Sequence, residues 1–176
     1  MNYLIEIKDK SNRILSFWSS PTGWAPDSAT DKLEAARLDW MKDLTNCLEI
    51  WNDKSLFLTD GELLLGWANI GALVEGWLKL FYCVYYEDYL GNPRLYKGEI
   101  IEPNDMRFEY LKQFSRGILW DKGSEWDGWI EMIQQRRNAI HAFNDRNIGT
   151  PFELIENIEK YNTFIDVIDA RLPYPD

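Results

Sequence analysis

The residues best suited to chemistry stand together late in the chain, in the run Gln134-Gln135-Arg136-Arg137-Asn138-Ala139-Ile140-His141-Ala142-Phe143. His141 is the only histidine in the 176 residues. Imidazole titrates near neutrality and can take or give a proton under cellular conditions. Arginine offers a fixed fork of donors that matches two phosphate oxygens, and asparagine orients a hydroxyl or an imidazole. Together they suit cleavage of an RNA phosphodiester by its own 2′-hydroxyl. His141 would move protons, and an arginine would stabilise charge on the phosphorane-like transition state. Such a reaction requires no metal. The chain has no His pair and no Glu-x-x-His or His-x-Glu spacing, so neither a metal nor a cofactor is expected. It does benefit from both an acid and a base, whereas one chain carries one histidine. Two copies about a two-fold axis would bring two histidines and four arginines to one cleft, so a homodimer is expected.

The stretch reads as one long amphipathic helix. At roughly 100° per residue, Trp126, Trp129, Ile130, Ile133 and Ile140 fall in one arc. Arg137 lies inside that arc, His141 at its edge about 40° further round, and Arg136 towards the other flank. A guanidinium on an inward face calls for an anion or a carboxylate to meet it. The plain structural alternative is that acids from other helices enclose the arginines. A solvent cleft favours function; enclosing acids favour a structural role.

Around this stretch the periodicity predicts a mainly α protein, an antiparallel four- to five-helix bundle with a small N-terminal β-hairpin. The hairpin is expected from the β-prone runs at residues 3–8 and 13–18, with Asp9-Lys10-Ser11-Asn12 as its turn. It makes residues 1–26 an extension and 27–176 the bundle. A helix is expected from Asp27 to about Trp51, capped by Asp27 or Ser28, and a second from Thr59 or Asp60 to about Leu90. That second helix is the most apolar segment, but Asn69, Glu75 and Lys79 interrupt it, so it reads as a central core helix and no membrane span. A loop with extended character covers 93–103, and a third helix runs through Phe108, Leu111, Phe114 and Ile118 to Trp120. Ser124 opens the helix of the central stretch in a capping box with Asp127 in place of the usual glutamate. Gly149 stops the chain before Thr150-Pro151-Phe152-Glu153 starts the last helix, which runs to about Arg171.

Composition bounds the function. A 45% apolar and 27% charged content is that of a soluble globular protein, and nine tryptophans mean that large planar side chains carry much of the packing. A formal charge of −10 excludes a protein that grips long nucleic acid through its general field, so any RNA contact must be local. Cys47 and Cys83 sit in apolar helical contexts and read as buried free thiols. The N-terminus lacks a signal peptide's charged and apolar regions, and a reducing cytoplasm is expected.

Arg136-Arg137-Asn138-Ala139-Ile140-His141 resembles the signature of the HEPN domain (higher eukaryotes and prokaryotes nucleotide-binding), an arginine four to six residues ahead of a histidine on the penultimate helix. Spacing selects Arg136 and helical face selects Arg137. Over roughly residues 28–172 the chain is similar to a bacterial group of HEPN-like proteins. The similarity is carried by Asn69 to Phe81, by Gln134 to Phe143 and by the ending Arg171-Leu172-Pro173-Tyr174-Pro175-Asp176. The resemblance implies a dimer in which two signature helices line one cleft, and a metal-independent endoribonuclease of toxin–antitoxin or phage-defence type. An antitoxin partner is implied with it. It makes Arg136 and His141 catalytic, with Arg137 and Asn138 supporting them and Glu75 or Asn69 facing the cleft. The alternative within the same family is an inactive module that binds a nucleotide or a partner protein.

Overall fold

The computed structural model describes residues 2–141, 143 and 145–175. Ala142, within the central stretch, and Met1 and Asp176, at the ends of the expected extension and bundle, lie outside the described residues.

The chain is mainly helical. The expected N-terminal hairpin is instead one helix, α1 (Asn2–Trp18). The reason is visible in its buried side chains: Leu4, Ile7, Ser11, Ile14, Leu15 and Trp18 recur at steps of three and four, which is a helix stripe. No glycine or proline interrupts it, and Asp9 and Asn12, taken for turn residues, are solvent-facing helix positions. Lys10 pairs with Asp166 at 2.7 Å and Arg13 with Asp169 at 2.6 Å, fastening α1 to the last helix.

The single helix expected from Asp27 is three: α2 (Asp27–Ala35), α3 (Leu38–Asn46) and α4 (Leu48–Lys54), followed by a 3₁₀ turn at Ser55–Phe57. Ala36 is extended (φ −76°, ψ 142°), and the break re-phases the chain. Leu33 and Leu38 would lie about 140° apart on one continuous helix; separated, both reach the core, at 1% and 5% exposure. Trp40 and Ile50, counted as inward, are exposed at 58% and 48%. Neither Asp27 nor Ser28 caps α2, whose N-cap is Pro26.

The central helix is α5 (Asp60–Val84), opened by a full capping box between Thr59 and Glu62. It packs against α2, α3 and α4 and against the later helices, and Trp67, Ile70, Leu73, Val74, Trp77 and Leu78 are fully buried along it. No helix among the described residues is long and apolar enough to cross a membrane. A bend at Tyr85 separates α6 (Tyr86–Gly91). β1 (Leu95–Tyr96) and β2 (Glu99–Ile100) form a two-stranded antiparallel hairpin through Lys97 and Gly98, both at positive φ. After a 3₁₀ turn at Pro103–Asp105, α7 (Phe108–Ser115) stops short of the expected Trp120, because Gly117 turns the chain at φ 81°. α8 (Glu125–Asn138), a 3₁₀ turn at Ala139–His141, and α9 (Pro151–Asp169) complete the chain. Cys83 is buried, and burial pushes its thiol up to about 12; Cys47 is only partly buried.

Candidate functional site

Two close approaches set the C-terminal half of α8 in place. Gly71 of α5 lies directly under Arg137, where any Cβ would overlap the Arg137 Cβ and Cγ. The stem of Arg137 therefore rests on bare backbone while its head reaches out. Gly149, at φ 68°, lies against the guanidinium of Arg136 in the same way. Trp67 Nε1 donates to the carbonyl of Ile148 at 2.7 Å and holds that loop against α5.

Of the two arginines, Arg137 packs its stem on α5, the inward face that the helical wheel gave it, whereas Arg136, assigned to the other flank, is the more deeply buried. Arg136 is buried, at 8% exposure, and Arg137 is half-buried. Arg136 lies 4.5 Å over the Trp67 ring, and its Nη2 donates to Glu153 Oε1 at 2.7 Å. Its Nη1 has no hydrogen-bond partner among the described residues. Glu153 also accepts from the Thr150 amide at 2.7 Å in the capping box of α9, so one carboxylate serves the helix start and the buried arginine. It is held below the ordinary carboxylate range, first by Arg136, partly opposed by burial, and further by the Thr150 amide.

Arg137 Nη2 donates to Glu75 Oε2 at 2.8 Å, and its Nη1 to Asn138 Oδ1 at 3.1 Å. Glu75 also receives Lys79 at 3.0 Å, one helical turn on. Glu75, Arg137 and Asn138 thus come together, and they line a cavity of about 260 Å³ with Arg107, Glu109 and Gln134. Asn69 lines no part of it; its Nδ2 is bonded to the carbonyl of Leu44 at 3.0 Å.

His141 is exposed, on the 3₁₀ turn that ends α8. The expected continuous helix through Phe143 stops at Asn138, and Ile140, assigned to the apolar arc, is 41% exposed. Tightening from α to 3₁₀ changes the angle per residue and re-aims everything after Ala139.

Arg107 was not singled out from the sequence. It precedes α7 between Met106 and Phe108, lines the cavity opposite α8, and has no ion pair among the described residues. Only the fold brings it to Arg137. Beneath α8, buried Lys112 is held by Glu109, Glu131 and Gln134. Asp127 accepts from Arg116 at 2.6 Å and from the Gly123 amide at 2.9 Å. Its carboxylate ties α8 to the loop before it instead of completing the box with Ser124.

Chemically, the site offers a cavity edged by two arginines, of which one is carboxylate-bound, and an exposed imidazole on the turn that follows, which is not among the residues lining the cavity. Among the described residues no group of three His, Cys, Asp or Glu is placed to hold a metal ion. Compared with protein-family models, with curated proteins and with solved structures, the chain matches none.

Proposed function

We propose that this protein is a metal-independent endoribonuclease of the HEPN-like type, acting as a homodimer in a toxin or phage-defence role, with α5, α8, α9 and α1 as its antiparallel bundle. The carrying observation is the division of labour between adjacent arginines. Arg136 is withdrawn into the core as a positioning residue, while Arg137 and Asn138 line a cavity and His141 stands exposed on the 3₁₀ turn that follows them. In this reading the 2′-oxygen attacks phosphorus and the P–O5′ bond breaks, giving a 2′,3′-cyclic phosphate and a 5′-hydroxyl. His141 of one copy takes the 2′-hydroxyl proton, and the second copy's imidazole protonates the leaving oxygen. Arg137 meets the charge that builds on the phosphoryl oxygens, with Asn138 fixing its Nη1.

Apolar side chains around this end support a paired state. Leu65, Ile140, Phe143 and Phe152, sequence neighbours of the residues that join α5, α8 and α9, are exposed at 41–101%. A second copy would cover them.

One observation favours a purely structural role, as enclosing acids do: both arginines already hold carboxylates, Glu153 and Glu75. Arg137→Ala separates the two. The nuclease reading expects cleavage to fall about 100-fold or more with the thermal midpoint little changed, and Arg107→Ala to raise KM more than it lowers kcat. Wild type that binds mononucleotides through Arg137 and cleaves no RNA supports the inactive nucleotide-binding module instead.

A further inference from the structure

Where α5 bends into α6, five aromatic side chains, Phe81, Tyr82, Tyr85, Tyr89 and Phe114, line an open, mostly apolar cavity of about 350 Å³ with Asp88 exposed beside them. Steps of three and four put Phe81, Tyr82, Tyr85 and Tyr89 on one side, and α7 contributes Phe114. The rings form a continuous wall: Phe81 and Tyr85 are 4.9 Å apart between centroids, Tyr82 and Phe114 5.1 Å, and Tyr89 and Phe114 5.3 Å.

The phenol oxygens are engaged elsewhere. Tyr82 bonds Ser115 Oγ at 2.8 Å, and Tyr85 and Tyr89 donate to the carbonyls of Arg171 and Ile101, each at 2.5 Å. The cavity therefore gains ring surface more than hydroxyls, chiefly from half-buried Tyr85 and Phe114, with buried Phe81, Tyr82 and Tyr89 packed behind them. Asp88 has no hydrogen bond or ion pair among the described residues, and no lysine or arginine lines the cavity. Its carboxylate lies within electrostatic reach of the wall, since the Tyr85 phenol is raised by burial and then by the charge of Asp88.

Aromatic faces and an unpaired carboxylate share one sign of potential, which draws a cation and is wasted on a neutral guest. A bare ammonium is strongly hydrated and loses much on entering an apolar cup. Methylation spreads the charge over carbon and makes it complementary to such a wall. We propose that this cavity binds a methylated ammonium group, quaternary by preference, with the rings against its methyls and Asp88 balancing its charge.

The test is calorimetric titration of the full chain with choline, with its neutral isostere 3,3-dimethylbutanol, and with a peptide carrying trimethyllysine. Choline or the peptide is expected to bind saturably, and the neutral isostere about tenfold more weakly than choline or not at all. Asp88→Asn and Tyr85→Leu should each cost about tenfold in affinity with the thermal midpoint retained, whereas Tyr85→Phe keeps the ring and most of the binding. A peptide that binds better than choline assigns the site to a protein-borne cation; the reverse assigns it to a free amine. Folded protein that binds neither cation at about 10 mM, an isostere equal to choline, or full affinity in Asp88→Asn overturns the proposal.

Discussion

Arg136 and Arg137 are chemically identical neighbours with opposite environments, and substitution should separate them. Arg136→Ala removes a buried guanidinium and its contact with Trp67 but leaves a Glu153 that is 39% exposed and so partly solvated, and a loss of about 1–3 kcal/mol in urea unfolding is expected. Arg137→Ala leaves Glu75, 13% exposed, still paired with Lys79 and should cost less, about 1 kcal/mol. Equal costs would contradict the assignment of roles. A pH titration reads the same pair. The folded Glu153 carboxyl is more acidic than in the unfolded chain, so as pH falls the unfolded chain takes up the proton first. Its contribution is whole above the ordinary glutamate value of 4.5 and is lost as pH falls through that value towards the folded one. Glu153→Gln should therefore be less stable than wild type at neutral pH and lose less between about pH 5 and pH 3. Parallel curves would remove Glu153 from the network. At this scale the sequence showed the reactive residue types and their spacing and set Arg137 on the face towards α5, but it did not show that Arg136 lies deeper. A wheel drawn at a constant angle misplaced Arg136, whose burial comes from Trp67 and Gly149, which it does not count, and Ile140, which the 3₁₀ turn re-aims.

Among the elements, those with strong local signals were legible. The Thr59–Glu62 and Thr150–Glu153 capping boxes start α5 and α9 where their residue types place them. The N-terminal hairpin was misjudged because short apolar runs suit strand or helix alike, and the stripe from Leu4 to Trp18 becomes decisive only with α3 and α9 to bury it. The break at Ala36 has no glycine or proline to announce it; core phasing alone requires it. Helix packing at the site gives a further test. Alanine is a better helix former than glycine by about 1 kcal/mol, yet Gly71→Ala would drive a methyl into the Cβ and Cγ of Arg137, which cannot swing aside. Overpacking of about 1–3 kcal/mol outweighs the gain, so the variant should be destabilised and α8 displaced. Gly66→Ala meets mainly a terminal methyl of Leu154, a movable group, and should be milder. A Gly71→Ala protein as stable and as active as wild type would show that α8 does not depend on this approach.

At the scale of the whole molecule, the net charge of −10 opposes RNA, so attraction must be confined to the arginine-edged cavity and to its copy in a dimer. Light scattering at micromolar concentration should give twice the chain mass of 20.8 kDa; a monomer would contradict a shared cleft. Mixing wild type with an excess of His141→Ala under exchange conditions should lower activity well below that of the same amount of wild type alone, because a mixed dimer keeps one histidine where the step needs two. Self-contained sites would keep the wild-type share of the activity. The most direct measurement is cleavage of a mixed RNA pool in EDTA by wild type and by His141→Ala. Wild type is expected to cut and to leave 2′,3′-cyclic phosphate ends, and His141→Ala to leave the pool intact. Folded, dimeric wild type that cuts nothing after any co-purified partner is stripped away, or a His141→Ala protein that cuts at the wild-type rate, would contradict a ribonuclease built on this turn.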